Sequence, residues 1–157
     1  MVRKVLTLSL GLSLLSGLPA AAGQKSSLED RVAGADSVVV ATARSVTSEW
    51  RTNEHGDRLI VSRIQLDVSE SLKGPASRLM WLEVEGGTLD GFTLQVSSLP
   101  LIHAGERGVF FLDSAEGGSH APHQRGEGIF MLDEENNVRG TTVHLDEFRS
   151  RVRSARQ

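Results

Sequence analysis

The chain has no cysteine among its 157 residues. That absence excludes disulfides, thiolate zinc sites, thiol nucleophiles and lipid attachment through cysteine. Tyrosine is missing too, and two Trp and five Phe hold the aromatic content to 4%. Sugar-stacking platforms and base-stacking grooves depend on aromatic faces, so both are poorly supplied. No Gly-x-Ser-x-Gly element occurs, and no glycine-rich phosphate loop follows a strand pattern. The serines near His55 and His103 read as ordinary loop residues. There is no internal repeat and no low-complexity tract. What remains is 39% hydrophobic and 24% charged, a composition that can bury one core. The length suits one domain and is short for two.

The N-terminus carries the clearest pattern. Arg3 and Lys4 precede an apolar run of 14 residues, Val5 to Leu18, within the length of a signal-peptide core. Pro19 breaks the run, and Ala20-Ala21-Ala22 offers the small residues that a signal peptidase reads. Residues 1–22 are therefore expected to be a cleaved signal peptide, leaving 23–157 as one domain. A spanning helix wants about 20 apolar residues, and Ser9, Gly11, Ser13, Ser16 and Gly17 dilute this run, so no stable membrane anchor is expected after cleavage. Removing Arg3 and Lys4 from 17 basic residues leaves 15 against 20 acidic ones, a net charge of −5. The leader implies export to a periplasm or an extracellular medium, and the acidic surface disfavours nucleic acid. An exported chain without disulfides must rely on its core.

Past the leader, Ser27-Leu28-Glu29-Asp30 reads as a helix start with Ser27 as N-cap. Leu28 and Val32 share one face, and Gly34 closes the helix. Ser37 to Val46 is β-branched and suits a buried strand. A polar turn, Asn53 to Asp57, leads to a long strand, Leu59 to Leu72, with Ile60, Ile64, Leu66 and Val68 on one face. Gly74-Pro75 ends it. Leu79 to Val84 places Met80, Leu82 and Val84 opposite Trp81, Glu83 and Glu85. After Gly86-Gly87, Phe92, Leu94 and Val96 alternate, and Pro100 to Gly105 is a connector. Gly108 to Leu112 is a near-continuous apolar run, as in a central strand. Glu116 to Gly126 is rich in breakers and reads as a mobile loop. Ile129 to Leu132 is a strand, and Asp133 to Asn137 a turn. From Leu145 the spacing of Leu145, Phe148, Val152 and Ala155 makes one helical face. The expected fold is mainly β: a small antiparallel barrel of five to six strands, a short N-terminal helix and a C-terminal helix capping an open end.

Three segments carry a family resemblance. Ala35 to Ala43 resembles the opening strand of the netrin/TIMP-like OB fold. Val68 to Gly74, with Lys73-Gly74 at its end, is similar to the strand that closes on a basic residue and glycine in that superfamily. Gly105 to Leu112 resembles a later strand of its bacterial exported relatives. The resemblance spans Asp30 to Leu132 and implies an OB-like barrel. It does not carry over the inhibitory mechanism of the animal members, which present an N-terminal cysteine to a protease zinc.

The candidate sites each have a plainer explanation. His120 and His123 are the metal candidates, with Glu116 or Glu127 as third ligand; two imidazoles fall short of the usual three or four ligands. A polar surface loop explains the same residues, and neither a metal nor a cofactor is expected. Glu83 and Glu85, about 7 Å apart on one strand face, approach the spacing of paired glycosidase carboxylates, or mark the solvent side of a strand. Asp133, Glu135 and Asn137 have the alternate spacing of a calcium loop, but Val138 stands where glycine is required, and a hairpin turn suffices. Arg149, Arg151, Arg153 and Arg156 make a basic end on the last helix, suited to its dipole. No catalytic residues are assigned. The leading expectation is an exported, non-enzymatic binding module for a protein partner. The alternatives are a steric inhibitor or accessory factor of an exported metalloprotease, acting through Asn53–Asp57 or Glu116–Gly126, and a metal-dependent hydrolase using His120 and His123.

Overall fold

The computed structural model describes residues 26–156; the leader and its cleavage position lie outside them. Helix α1 (Leu28–Gly34) starts as expected. The Ser27 hydroxyl accepts from the Asp30 amide while the Asp30 carboxylate accepts from Ser27, a complete capping box. Strands β1 (Ser37–Thr52) and β2 (Arg58–Lys73) form one long antiparallel hairpin of 16 residues a side. Thus β1 runs well past the expected end at Val46, because Ser45 to Thr52 keeps pairing with Arg58 to Gln65. Strand β3 (Leu79–Glu85) follows. The short β4 (Gly87–Leu89) and β5 (Phe92–Leu94) then form a separate two-stranded sheet. Asp90 and Gly91 join them with φ of 53° and 79°, as a two-residue hairpin turn of the primed type requires.

Strand β6 (Arg107–Ser114) carries the apolar run, and β7 (His120–Pro122) and β8 (Ile129–Met131) flank it. The segment read as a loop, Glu116 to Gly126, therefore contains a strand. Gly117 and Gly118, with φ of 68° and 77°, turn the chain so that His120 returns opposite Ser114. The main sheet is mixed and six-stranded, in the order β1-β2-β3-β7-β6-β8, with β1 also paired to β6. β7 meets β3 in parallel at Leu82 and His120.

Alternation sorts the strands into two apolar clusters rather than the single core expected. Val39, Ala41, Ile64, Leu66, Leu82, Phe110 and Leu112 gather on one face. Val38, Val40, Leu72, Val109 and Phe111 point the other way, and α1 and α2 (Leu145–Ser154) cover them with Val32, Leu145, Phe148 and Val152. Phe110 and Phe111 are both wholly buried, one in each cluster. The C-terminal helix thus lies against the sheet face opposite the main cluster instead of capping an open end. The central run is apolar on both sides, and the second side needs a cover. A register shift between Ala43 and Ser45 moves the inward set from Val39, Ala41 and Ala43 to Val46, Ser48 and Trp50, as a bulge does.

Polar groups fix the helices in place. Lys73, at the end of β2, donates through Nζ to the Val32, Ala33 and Ala35 carbonyls at 2.6, 3.0 and 2.6 Å. These are α1 C-terminal acceptors that otherwise lack partners. Glu70 accepts from Arg149 Nε at 2.7 Å and from Arg153 at 2.9 Å, and Arg156 donates to the Leu72 carbonyl. Three of the four arginines of the basic end therefore seat α2 on β2. No helix among the described residues is long and apolar enough to cross a membrane.

Candidate functional site

His120 and His123 sit near each other in sequence and are held apart in use. His120 Nδ1 donates to the Trp81 carbonyl at 3.2 Å, because β7 lies beside β3. His123 Nδ1 donates to the Asp113 carboxylate, 2.9 Å from each oxygen. Its Nε2 is buried without a hydrogen-bond partner against Gly34, where a Cβ would come within 2.6 Å of it. Glu127 is engaged by Arg31 at 3.0 Å. No group of three or more His, Asp or Glu side chains able to hold a metal ion occurs among the described residues.

The carboxylates nominated by spacing are likewise taken. Glu83 receives Arg51 at 2.7 Å and faces Arg63 at 3.8 Å, whereas Glu85 pairs with Arg125. Each glutamate answers to a different cation. In the Asp133 turn, Oδ1 accepts from the Glu135 and Asn137 amides at 3.0 and 2.7 Å. The Asn137 amide is the main cause that holds the Asp133 carboxyl below its usual range. The oxygens a calcium ion would need thus serve the turn's own backbone, while Asn136 adopts φ of 63°.

A second constellation lies where the long hairpin runs past the main cluster. Trp50 faces inward on β1, two residues beyond Ser48. The Arg58 guanidinium stacks 4.4 Å above its ring. Its Nε1 donates to Asp90 at 3.3 Å. Phe92, across the β4–β5 turn, meets it edge-on at 6.1 Å. Phe92 is 65% exposed, an unusual position for a large aromatic. Trp, Tyr and Arg dominate the energetics of protein interfaces, and two such residues plus a phenyl ring meet here. Trp81, the other tryptophan, lies on the opposite face of the sheet under Arg63 at 4.6 Å.

Beside this aromatic tip opens a cleft of about 310 Å³, near the lower bound for ligand pockets. Val46, Ile64, Val84 and Val96 give it apolar walls, and Ser48, Ser62 and Thr88 give it hydroxyls. Ser62 donates to the Gly86 carbonyl at 2.7 Å and lies 3.0 Å from the Ser48 hydroxyl. Gly87, at φ of 136°, comes so close that a Cβ would fall 2.8 Å from Ser48 Oγ. The glycine pair read as a turn thus also lets β4 lie on the hairpin. At the rim, Glu106 accepts from the His103 amide at 2.7 Å and from Arg139 at 3.1 Å. Burial pushes the Glu106 carboxyl up, but the His103 amide and the Arg139 guanidinium outweigh it and hold the group below its usual range.

Sequence reasoning passed over Trp50, Arg58 and Phe92. Trp50 and Phe92 stand 42 positions apart, so no spacing links them. The one available signal was Asp90-Gly91 between Leu89 and Phe92, a hairpin signature that would have carried Phe92 to a tip. Comparison with protein-family models and with curated proteins finds no match for this chain.

Proposed function

We propose that the chain is an exported, non-enzymatic, OB-like β-barrel that binds a protein partner through the end carrying Trp50, Arg58 and Phe92. Export rests on the N-terminal pattern of Arg3, Lys4 and the apolar run. The barrel reading is supported by the cyclic pairing of β1 with β2, β2 with β3, β3 with β7, β7 with β6, and β6 with β1. Such a five-stranded Greek-key barrel binds through the loops and strand faces at one side. The observation that carries the binding role is the exposed Phe92 packed on the Trp50–Arg58 stack. A folded chain gains little by keeping that ring in water, whereas a partner would bury it. The Asn53–Asp57 turn adjoins this end, since Thr52 pairs with Arg58. A loop model of protease inhibition keeps both of its turns: Asn53–Asp57 at this end, and Glu116–Gly118, exposed ahead of β7.

Affinity capture from the exported fraction, with the mature chain and with Phe92→Ser as baits, tests the proposal. An exposed ring contributes little to folding, so the variant should keep its melting temperature. Loss of a hot-spot side chain typically costs at least about 2 kcal/mol of binding, so the captured partner should fall by about thirtyfold. Equal capture by both baits would remove this end from the interface.

A further inference from the structure

We infer that residues 95–104 form a strap that opens on its own, while the strands stay paired, and thereby controls access to the cleft beside the aromatic tip. The strap joins β5 to Gly105 and supplies one wall of that cleft through Leu99, Pro100 and Ile102. Among the described residues its only loop backbone bonds are local: the Leu99 amide to the Val96 carbonyl, and the Glu106 amide to the His103 carbonyl. No strand pairing includes it. Apart from the His103 amide, which donates to the Glu106 carboxylate at 2.7 Å, what holds it down is packing. Leu99 and Ile102 are each only 7% exposed and insert into the main cluster.

Clefts open on both sides of that insertion. Leu99 lines the 310 Å³ cleft on one side and a second cleft of about 280 Å³, with Ala121, Pro122 and Arg125, on the other. A side chain that borders two clefts has fewer neighbours to displace than one enclosed on every side. Segments with few buried contacts and few structural hydrogen bonds open well below the free energy of global unfolding.

The two ends of the strap are better fixed, which makes it a hinge-bound element rather than a frayed loop. Gly105 donates to the Ala43 carbonyl at 2.7 Å and sits at φ of 90°, a backbone state that only glycine adopts freely. At the other end the chain leaves β5 at Leu94, paired with Gly87, and four residues on Ser98 abuts the Arg125–Gly128 turn so closely that a Cβ on Gly126 would coincide with the Ser98 carbonyl oxygen. Opening would uncover Val46, Ile64 and Val84, extending the apolar surface next to Trp50. The role of the strap as a regulator rests on the docking end proposed above; its independent opening does not.

The absence of native cysteine makes a single engineered thiol an unambiguous reporter. Leu99→Cys is placed under the strap, and Leu82→Cys, wholly buried in β3, reports global unfolding. Reaction with a disulfide reagent in native buffer is followed for each. Leu99→Cys should label at least about tenfold faster than Leu82→Cys, with a rate nearly independent of urea below the unfolding transition. Equal rates with equal urea dependence would overturn the strap as a separate unit. Ile102→Cys provides the same reading should Leu99→Cys fail to fold. Gly126→Ala should displace Ser98 and raise the Leu99→Cys rate relative to Leu82→Cys in the same background; an unchanged ratio counts against this contact as the restraint. Partner capture by Phe92→Ser is blind to thiol exposure, so the docking end and the strap fail separately.

Discussion

Removing Phe111 should unfold the protein as one unit, even though its ring belongs to the cluster beneath the helices. Phe111 is wholly buried, with its centroid 5.6 Å from Phe130 and 6.3 Å from Phe148. A buried Phe→Ala change costs about 3–5 kcal/mol. Each lost aromatic contact adds up to about 1 kcal/mol, which places this site at the upper end. A domain of this size has only about 5–15 kcal/mol in hand. With a urea dependence of about 2 kcal/mol per molar, the midpoint should fall by on the order of 2 M. Two probes see different halves of the molecule. Far-UV circular dichroism includes the helical signal of α1 and α2 beside that of the strands, whereas fluorescence reports only Trp50 and Trp81, both carried by the sheet. Val38 to Ala41 are buried on both faces of β1, so that neither cluster can loosen without moving the same backbone. The two transitions should therefore coincide. Loss of helical signal at a urea concentration where fluorescence is still native would refute the coupling.

Glu70→Gln should weaken the seating of α2, because Arg149 and Arg153 lose their shared carboxylate; about 1 kcal/mol is expected for this partly exposed pair, smaller at high salt, and an unchanged midpoint in dilute buffer would contradict it. Asp133 and Glu106 both have folded carboxyl groups held below their usual values, so their contribution is complete above about pH 4.3 and disappears as pH falls through the lowered folded value. Asp133→Asn should accordingly flatten the acid limb of the stability profile, and an unaltered limb would show that the turn bonds do not persist in solution. Since His120 and His123 answer to Trp81 and Asp113, zinc added at micromolar concentration should leave the melting temperature unchanged; a rise proportional to the logarithm of zinc concentration would reveal a site.

Elements that sort their own side chains were legible. The even spacing of Ile60, Ile64 and Leu66, the Ser27–Asp30 capping box and the 3-4-3 spacing of Leu145, Phe148, Val152 and Ala155 each stand in the structure. β7 was not legible, because His120-Ala121-Pro122 has no alternation and becomes a strand only through pairing with β6 and β3. The bulge near Arg44 hid Trp50, since it reverses the parity that would otherwise send residue 50 outward. Two-sided burial of the central run was suggested by Val109 to Leu112, but the second cluster depends on helices from opposite ends of the chain. The histidines and glutamates show the limit of spacing: sequence shows which ligating groups are close, and not which acceptors and cations they meet in the fold.

The fastening of α1 has a consequence for the order of synthesis. A helix of seven residues is too short to persist alone in water, and what steadies it arrives late. The Nζ that gathers its terminal carbonyls belongs to residue 73, and its apolar cover comes from Phe148 and Val152. A ribosome therefore releases the N-terminal segment long before anything can hold it in shape, and the last helix made completes the first. Until both have been made, Leu28–Gly34 lacks the partners that fix it as a helix.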